Sequence, residues 1–272
     1  MLVCSLGDLT LDVVVRLGGQ IATGGDTPAS IRLGPGGQAA NVAAWVVALG
    51  ASAQFVGRTG ADDAGELVRS RLEELGVEIA GPVEGRNGAI CCLVTEGGER
   101  SMASDRGAAA ELEPADLDPA WLACDHLHVS GYALMAEPTR SAALRAAELG
   151  REHGARVSVD LASWSGIRDS GLEAFCDAVR VLAPDVVFAN DEEAREVGTE
   201  LVEALWIVSH GAGGCSFGDD MREALPVTQV VDTTGAGDAL AAGWILGGPE
   251  LALEAAARCV EHVGAIPLAS LQ

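Results

Sequence analysis

The sequence predicts an α/β fold on a mostly parallel central sheet, and three observations carry that prediction. From Trp121 onward, apolar strand-like runs alternate with segments of helical periodicity, the pattern of a parallel sheet with helices on its faces. The chain opens on a short apolar run, Leu2 to Leu6, that stops at Gly7-Asp8, as the first strand of an α/β unit does. Near the other end, the stretch Asp232-Thr233-Thr234-Gly235-Ala236-Gly237-Asp238-Ala239-Leu240 runs straight into an apolar helix. At 272 residues the chain is long enough for one large domain with a well-buried core, and residues 1–272 read as a single unit with a small β appendage.

Taken in order, the first strand puts Asp8 and Asp12 near the carboxyl end of a central strand, where open sheets bind ligands. Residues 13–33 alternate weakly around glycines and read as a β-excursion. Gly34 to Gly37 read as a turn, and Gln38 to Leu49 as a helix with Val42, Trp45, Val46 and Leu49 at helical spacing. Gly36-Gly37 lets backbone approach a ligand, and Asn41, one turn into the helix, both donates and accepts. A tight strand-to-helix turn explains the same residues equally well. Phe55-Val56-Gly57 reads as a strand, and Asp62-Asp63 leads a helix to Leu75, closed by Gly76. Ala89 to Val94 and Arg100 to Ser104 read as a β-pair joined by a hairpin turn at Glu96-Gly97-Gly98-Glu99. Arg106 follows in what reads as a loop, where it either meets an anion or is simply solvated.

In the second half the expected strands are His126–Ser130, Val157–Asp160, Val186–Ala189 and Trp206–Ser209, with helices at Glu137–Glu152 and Gly171–Leu182. Asp160 and the run Asn190-Asp191-Glu192-Glu193 fall at strand ends. An acid one turn past a strand end can hold a magnesium-bound water; a first-turn helix charge is the plainer alternative for Glu193. His126 and His128 share one face of a strand, where packed or hydrogen-bonded histidines are expected ahead of metal ligands. Gly247-Gly248-Pro249 is expected to stop the last apolar helix.

The chemistry concentrates at Gly235 to Asp238. The first amides of a helix lack intrahelical partners, and the helix dipole favours an anion there. Gly235 and Gly237 remove side chains that would hold a phosphate off the backbone. Asp238 is repelled by that same phosphate, and taking a proton from an attacking hydroxyl gives it a reason to be there.

Composition narrows the partners. Seventeen basic and forty acidic residues leave a net charge of −23, which argues against nucleic acid or an anionic membrane surface. No apolar run spans a bilayer and no basic-then-apolar leader opens the chain, so a cytoplasmic protein is expected. The cysteines at 4, 91, 92, 124, 176, 215 and 259 form no CxxC pair and read as reduced core residues.

With these residues in view, the chain resembles the ribokinase-like (PfkB-type) carbohydrate kinases. The Asp232–Leu240 stretch is similar to one signature of that family. Gly34-Pro35-Gly36-Gly37-Gln38-Ala39-Ala40-Asn41 is similar to the other, and the likeness runs from Cys4 to about Pro267. The resemblance implies a ribokinase-like three-layer α/β/α fold with a small β-lid over the sugar, from segments of about 13–33 and 89–104. It implies ATP and Mg²⁺ as cofactors, and phosphoryl transfer to a hydroxyl of a sugar or sugar-like molecule. Asp238 would be the base, with the amides of Gly235, Ala236 and Gly237 as an anion hole. Asp8, Asp12, Gly36, Gly37 and Asn41 would bind substrate. Asn190, Glu193, His210, Gly211, Gly213 and Thr234 would lie by the nucleotide, Glu193 reaching Mg²⁺ through water. Asp232 is where some relatives hold a monovalent cation such as K⁺, and relatives commonly dimerise through the lid. No P-loop GxxxxGK[ST] and no protein-kinase motif set occurs. Thr10 and Ser130-Gly131-Tyr132 depart from the ribose-specific pattern, Tyr132 is expected at the sugar pocket, and Arg168 is the one arginine placed to meet a sugar acid. Two rivals remain open: a nucleoside kinase, which the scarcity of aromatic residues disfavours, and a non-catalytic nucleotide- or sugar-binding relative.

Overall fold

The computed structural model describes residues 1–95 and 100–267. The strands are β1 (Leu2–Leu6), β2 (Thr10–Leu17), β3 (Ala29–Gly36), β4 (Ser52–Val56), β5 (Glu78–Ala80), β6 (Asn87–Val94), β7 (Arg100–Gly107), β8 (His126–Ser130), β9 (Arg156–Asp160), β10 (Val186–Asn190), β11 (Leu205–Ser209), β12 (Cys215–Phe217) and β13 (Asp220–Arg222). The helices are α1 (Gln38–Ala48), α2 (Asp63–Glu74), α3 (Thr139–Glu152), α4 (Trp164–Ser170), α5 (Leu172–Leu182), α6 (Asp191–Val197) and α7 (Ala236–Val260). Nine strands form the central sheet in the order β13-β12-β11-β10-β9-β8-β1-β4-β5. Seven run parallel from β5 to β11, and β12 and β13 close one edge antiparallel.

Alternation along the strands builds two cores. In β10, Val186 and Phe188 face the layer holding α1, α2 and α7, while Val187 and Ala189 face the layer holding α3 and α5. This is the period-2 pattern of a strand covered on both faces. The three-layer α/β expectation holds. The sheet is extended from β1 on one side by β4 and β5 and on the other by β8 onward, so the strand order reverses beside β1. A crevice opens at such a reversal, at the carboxyl ends. Gly7 lies there, and a Cβ on it would come 2.7 Å from that of Ser130.

The second sheet has the order β3-β2-β6-β7 and contains the two segments expected to be β. It is longer than the sequence suggested, beginning at Thr10 and reaching Asn87 and Gly107. Three expectations need correction. Asp12 belongs to this sheet, opposite Gly34 of β3, and is not at the end of a central strand. Gly34 and Gly36 are in β3, leaving Gly37 (φ 99°) as the turn into α1. Arg106 is a strand residue of β7 rather than a loop residue. The hairpin turn expected at 96–99 lies outside the described residues.

Local capping explains several boundaries. Asp62 accepts from the Gly65 amide at 3.0 Å, as an N-cap of α2. In α7 the break expected at Gly247-Gly248-Pro249 is present, with Gly248 at φ 73° and ψ −158°, but helix resumes at once through Val260. His126 and His128 both bond Ser158, at 2.8 and 2.9 Å. Burial and the nearby Arg156 hold His126 down at about 4, and burial and the His126 charge hold His128 at about 3, so both are neutral wherever the protein is folded near pH 7. Among the described residues no helix is long and apolar enough to cross a membrane.

Trp45 of α1 is fully buried and donates from Nε1 to the Ala265 carbonyl at 2.8 Å, tying the first helix to the segment after the last one. Trp45→Phe keeps most of the apolar contact and loses that bond. We expect a loss of about 1–2 kcal/mol in urea denaturation, with faster amide exchange confined to 262–267. Unchanged stability and exchange would remove the bond from any role in holding that segment.

Candidate active site

Along the rim of the central sheet, the chain sets five acids into a small region. Asp8 follows β1, Asp160 ends β9, Glu193 sits in the first turn of α6 beyond β10, and Asp238 sits in the first turn of α7. Asp12 approaches from β2. Asp8, Asp160, Glu193 and Asp238 are all under 9% exposed.

Asp238 is the third residue of α7. Asn41 donates to it from Nδ2 to Oδ2 at 2.7 Å, although the two are 197 positions apart. Packing of α1 against α7 in one core brings them together. Burial pushes Asp238 up to about 7, and the charge of Asp12 adds to this against the Asn41 bond. A carboxylate poised near neutrality suits proton abstraction. Asp12 accepts from Thr10 Oγ1 at 3.0 Å and is lifted to about 6 by burial. Asp8 takes both arms of Arg106, Nε to Oδ2 at 2.7 Å and Nη2 to Oδ1 at 2.8 Å. That bidentate pair bridges the two sheets. Arg106 is therefore neither solvated nor available as a lone cation.

The glycines separate into two kinds. A Cβ on Gly36 would overlap the Asp12 carboxylate, and one on Gly37 would overlap the Asp8 carbonyl. Gly235, at φ 80°, presses on Ala265. All three are required by the protein's own packing. Gly237 differs, because nothing lies within 4 Å of where its Cβ would stand.

Asn190 and Glu193 form a complete capping box. The Asn190 side chain accepts from the amides of Glu192 and Glu193, each at 2.9 Å, and Glu193 accepts from Asn190 N and Nδ2, also at 2.9 Å. Helix capping thus accounts for the spacing without a ligand. The surplus of negative charge beside it is a separate matter. Burial, then the charges of Glu193 and Asp238, push Asp160 well above the usual carboxylate range, and burial raises Glu193. Both Glu193 oxygens keep a second acceptor position, so the pair could still take hydrogen bonds from the water shell of a divalent cation.

His210 follows β11 and is held on both sides, Nδ1 to Asp191 and Nε2 to Ser216, each at 2.7 Å. Gly211 and Gly213 lie in the one-turn helix behind it. Asp232 accepts from Thr234 N and Oγ1 at 2.9 and 2.7 Å and from Gly264 N at 3.1 Å, so it ties the turn before α7 to the segment after it. Arg168 stacks over Trp164 at 4.7 Å. Burial raises the Tyr132 hydroxyl, Ser163 acts against this, and the charges of Asp8, Glu193 and Asp160 add to it, which puts the single tyrosine beside the acid cluster. The sequence reading passed over two supporting residues. Gln38 accepts from Ser130 Oγ at 2.5 Å and acts against the burial that raises Asp160, and Asp191 holds His210; only the position of Asp160 after an apolar strand offers a signal.

Comparison with known proteins bears on the whole chain. The profile of the pfkB family carbohydrate kinases matches residues 1–270. An ATP-dependent ribose-1-phosphate kinase from Halopiger xanaduensis is 34% identical, over 94% of this chain and 90% of that protein. Fructokinase-1 of Oryza sativa is 33% identical, over 88% and 80%. Among solved structures, adenosine kinase from Sinorhizobium meliloti superposes with a TM-score of 0.84 at 28% identity, over 99% and 96% of the two chains. A putative ribokinase II from E. coli, solved with ATP and Mg²⁺, has the same fold, with a TM-score of 0.81 at 23% identity over 97% and 94%.

The pKa of Asp238 carries a stability consequence. Its folded value lies above the ordinary 3.8, so ionisation opposes folding. The penalty is absent below about pH 4 and complete above pH 7, reaching about 4 kcal/mol for a shift of this size. Asp238→Asn is expected to melt above the wild type at pH 8.5, with the gap closing towards pH 4. A gap independent of pH would refute the assignment.

Proposed function

Since the chain belongs to the pfkB family of carbohydrate kinases, we propose that it moves the γ-phosphoryl group of ATP to a hydroxyl of a sugar. The observation that carries this reading is Asp238, a buried carboxylate near neutrality at the start of α7 beside an open glycine. In the proposed reaction Asp238 accepts the proton of the attacking hydroxyl. The amides of Gly235 and Gly237, with that of Ala236 once it leaves its 3.4 Å bond to the Thr233 carbonyl, would meet the charge that develops on the transferred group, where preorganised donors act most strongly. Asp8, Asp12 and Asn41 orient the hydroxyls of the acceptor, with Gly36 and Gly37 allowing the two sheets to meet. When bound, Mg²⁺ neutralises phosphate charge; Asn190 and Glu193 would hold its water shell. His210, Gly211, Gly213 and Thr234 line the proposed nucleotide side. A monovalent cation such as K⁺ would sit by Asp232. The four-stranded sheet would act as the lid. The cytoplasm, where ATP is plentiful, is the proposed compartment.

A nucleoside acceptor is the second reading, supported by the likeness to adenosine kinase at 28% identity. One assay separates the readings: ATP consumption with Mg²⁺ against ribose 1-phosphate, fructose, other sugars, sugar acids and nucleosides. Turnover with a sugar, reduced by orders of magnitude in Asp238→Asn while ATP still binds, is the expected result. Wild-type turnover in that variant would sink the base assignment. Turnover with nucleosides alone would favour the second reading.

Two further outcomes follow from the geometry. Gly237→Ala meets no atom of the protein and gains helix propensity, so its melting temperature should hold or rise, while its kcat falls at least tenfold because the methyl enters the phosphoryl space. Loss of activity accompanied by loss of stability would contradict this. If the second sheet is a lid, a saturating acceptor should slow amide exchange in β2, β3, β6 and β7 more than in β8 to β11; equal change in both sets would count against it.

A further inference from the structure

We propose that Asn41 is a positioning residue for Asp238, holding the base carboxylate in its ionised, correctly turned form with one end of its amide while the other end remains for the incoming acceptor. This rests on the reading of Asp238 as the base. The geometry is specific. Asn41 is 6% exposed, and its Nδ2 donates to Asp238 Oδ2 at 2.7 Å. Its Oδ1 is buried and takes no hydrogen bond from the described residues. A buried carbonyl without a partner is costly, which leaves this end of the amide open to a hydroxyl of the acceptor. The bond also leaves Asp238 Oδ1 as the oxygen that meets the reacting proton.

The electrostatic surroundings make this bond matter. Asp12 from β2 and Asp160 from β9 each interact with Asp238 as like charges, and the Cys259 thiol of α7 feels its charge as well. Helix α1, packed directly against α7, brings no charged side chain. Asn41 is therefore the one neutral donor among the described side chains that bonds this carboxylate, and it acts against burial and Asp12. A hydrogen bond to the charged form favours that form.

The test reads Asp238 directly. Carboxyl infrared difference spectra, wild type minus Asp238→Asn, give its titration midpoint without any substrate. Asn41→Leu is close in size and cannot donate; Asn41→Ala is the second variant should the first not fold. The expected result is a midpoint about one unit higher than in the wild type. In the pH profile of kcat, with whichever acceptor turns over, the acid limb should move by the same amount, costing about tenfold at pH 6 with the KM for ATP little changed. A midpoint that stays or falls overturns the proposal. A shifted midpoint with a stationary acid limb overturns it too, because Asp238 is then not the base. Should the wild type turn over none of the acceptors, the kinase reading fails on its own, and the infrared midpoint still decides whether Asn41 controls the carboxylate.

Discussion

Five carboxylates gathered at one rim of a sheet repel one another, and the neighbouring structure answers that repulsion one acid at a time. Asp8 is neutralised by the Arg106 fork, Asp12 is bonded by Thr10, and Asp160 by the Ala162 amide. Glu193 closes a capping box, and Asp238 receives Asn41. Each acid has a different kind of partner, so each is held in a different state of readiness. Asp8 is held by a bidentate ion pair, while Asp238 and Asp12 are left near the edge of ionisation. A chain with 17 basic and 40 acidic residues can spare few cations for such a place, and Arg106 is the one it commits at Asp8.

The same rim shows how backbone is cleared for close approach. Gly36 and Gly37 let the second sheet seat against the Asp8–Asp12 segment, and Gly235 lets the segment after α7 fold back against its start. Trp45 and Asp232 hold that segment from opposite sides through Ala265 and Gly264. The helix end carrying Asp238 is thereby braced by the first helix, the preceding turn and the following segment. Its direction is set before any ligand arrives, which is what preorganised stabilisation of charge requires.

Much of this was legible in the sequence, for identifiable reasons. Central strands buried on both faces are written as uninterrupted apolar runs such as Val186 to Ala189, and these appeared within a residue or two of where they stand. Asp238 is legible because two glycines precede it at the start of an apolar helix. The partners of these acids were not legible. Asn41 lies 197 residues from Asp238 and Arg106 lies 98 from Asp8, and no local pattern encodes a contact made by packing of α1 on α7 or of one sheet on another. Asp12 was assigned to the wrong sheet because a strand leaving one sheet and entering another keeps the same apolar texture. Asn190 and Glu193 show the opposite difficulty: a spacing that suits magnesium is also the spacing of a helix cap, and here the cap is made completely.

The second sheet is joined to the first by four short crossings, at Gly7 to Leu9, at Gly37, between β5 and β6, and after Gly107. The first two lie at the rim beside Asp8 and Asp12. Strand length, surface and curvature beyond that rim can therefore vary between descendants of such a chain without disturbing the helix that bears Asp238. Under the proposed function both sheets contribute to the site where they meet, since Asp8 follows β1 and Asp12 lies in β2. A change in the second sheet would then reach the acceptor only through that shared seam, leaving the packing of α7 as it is.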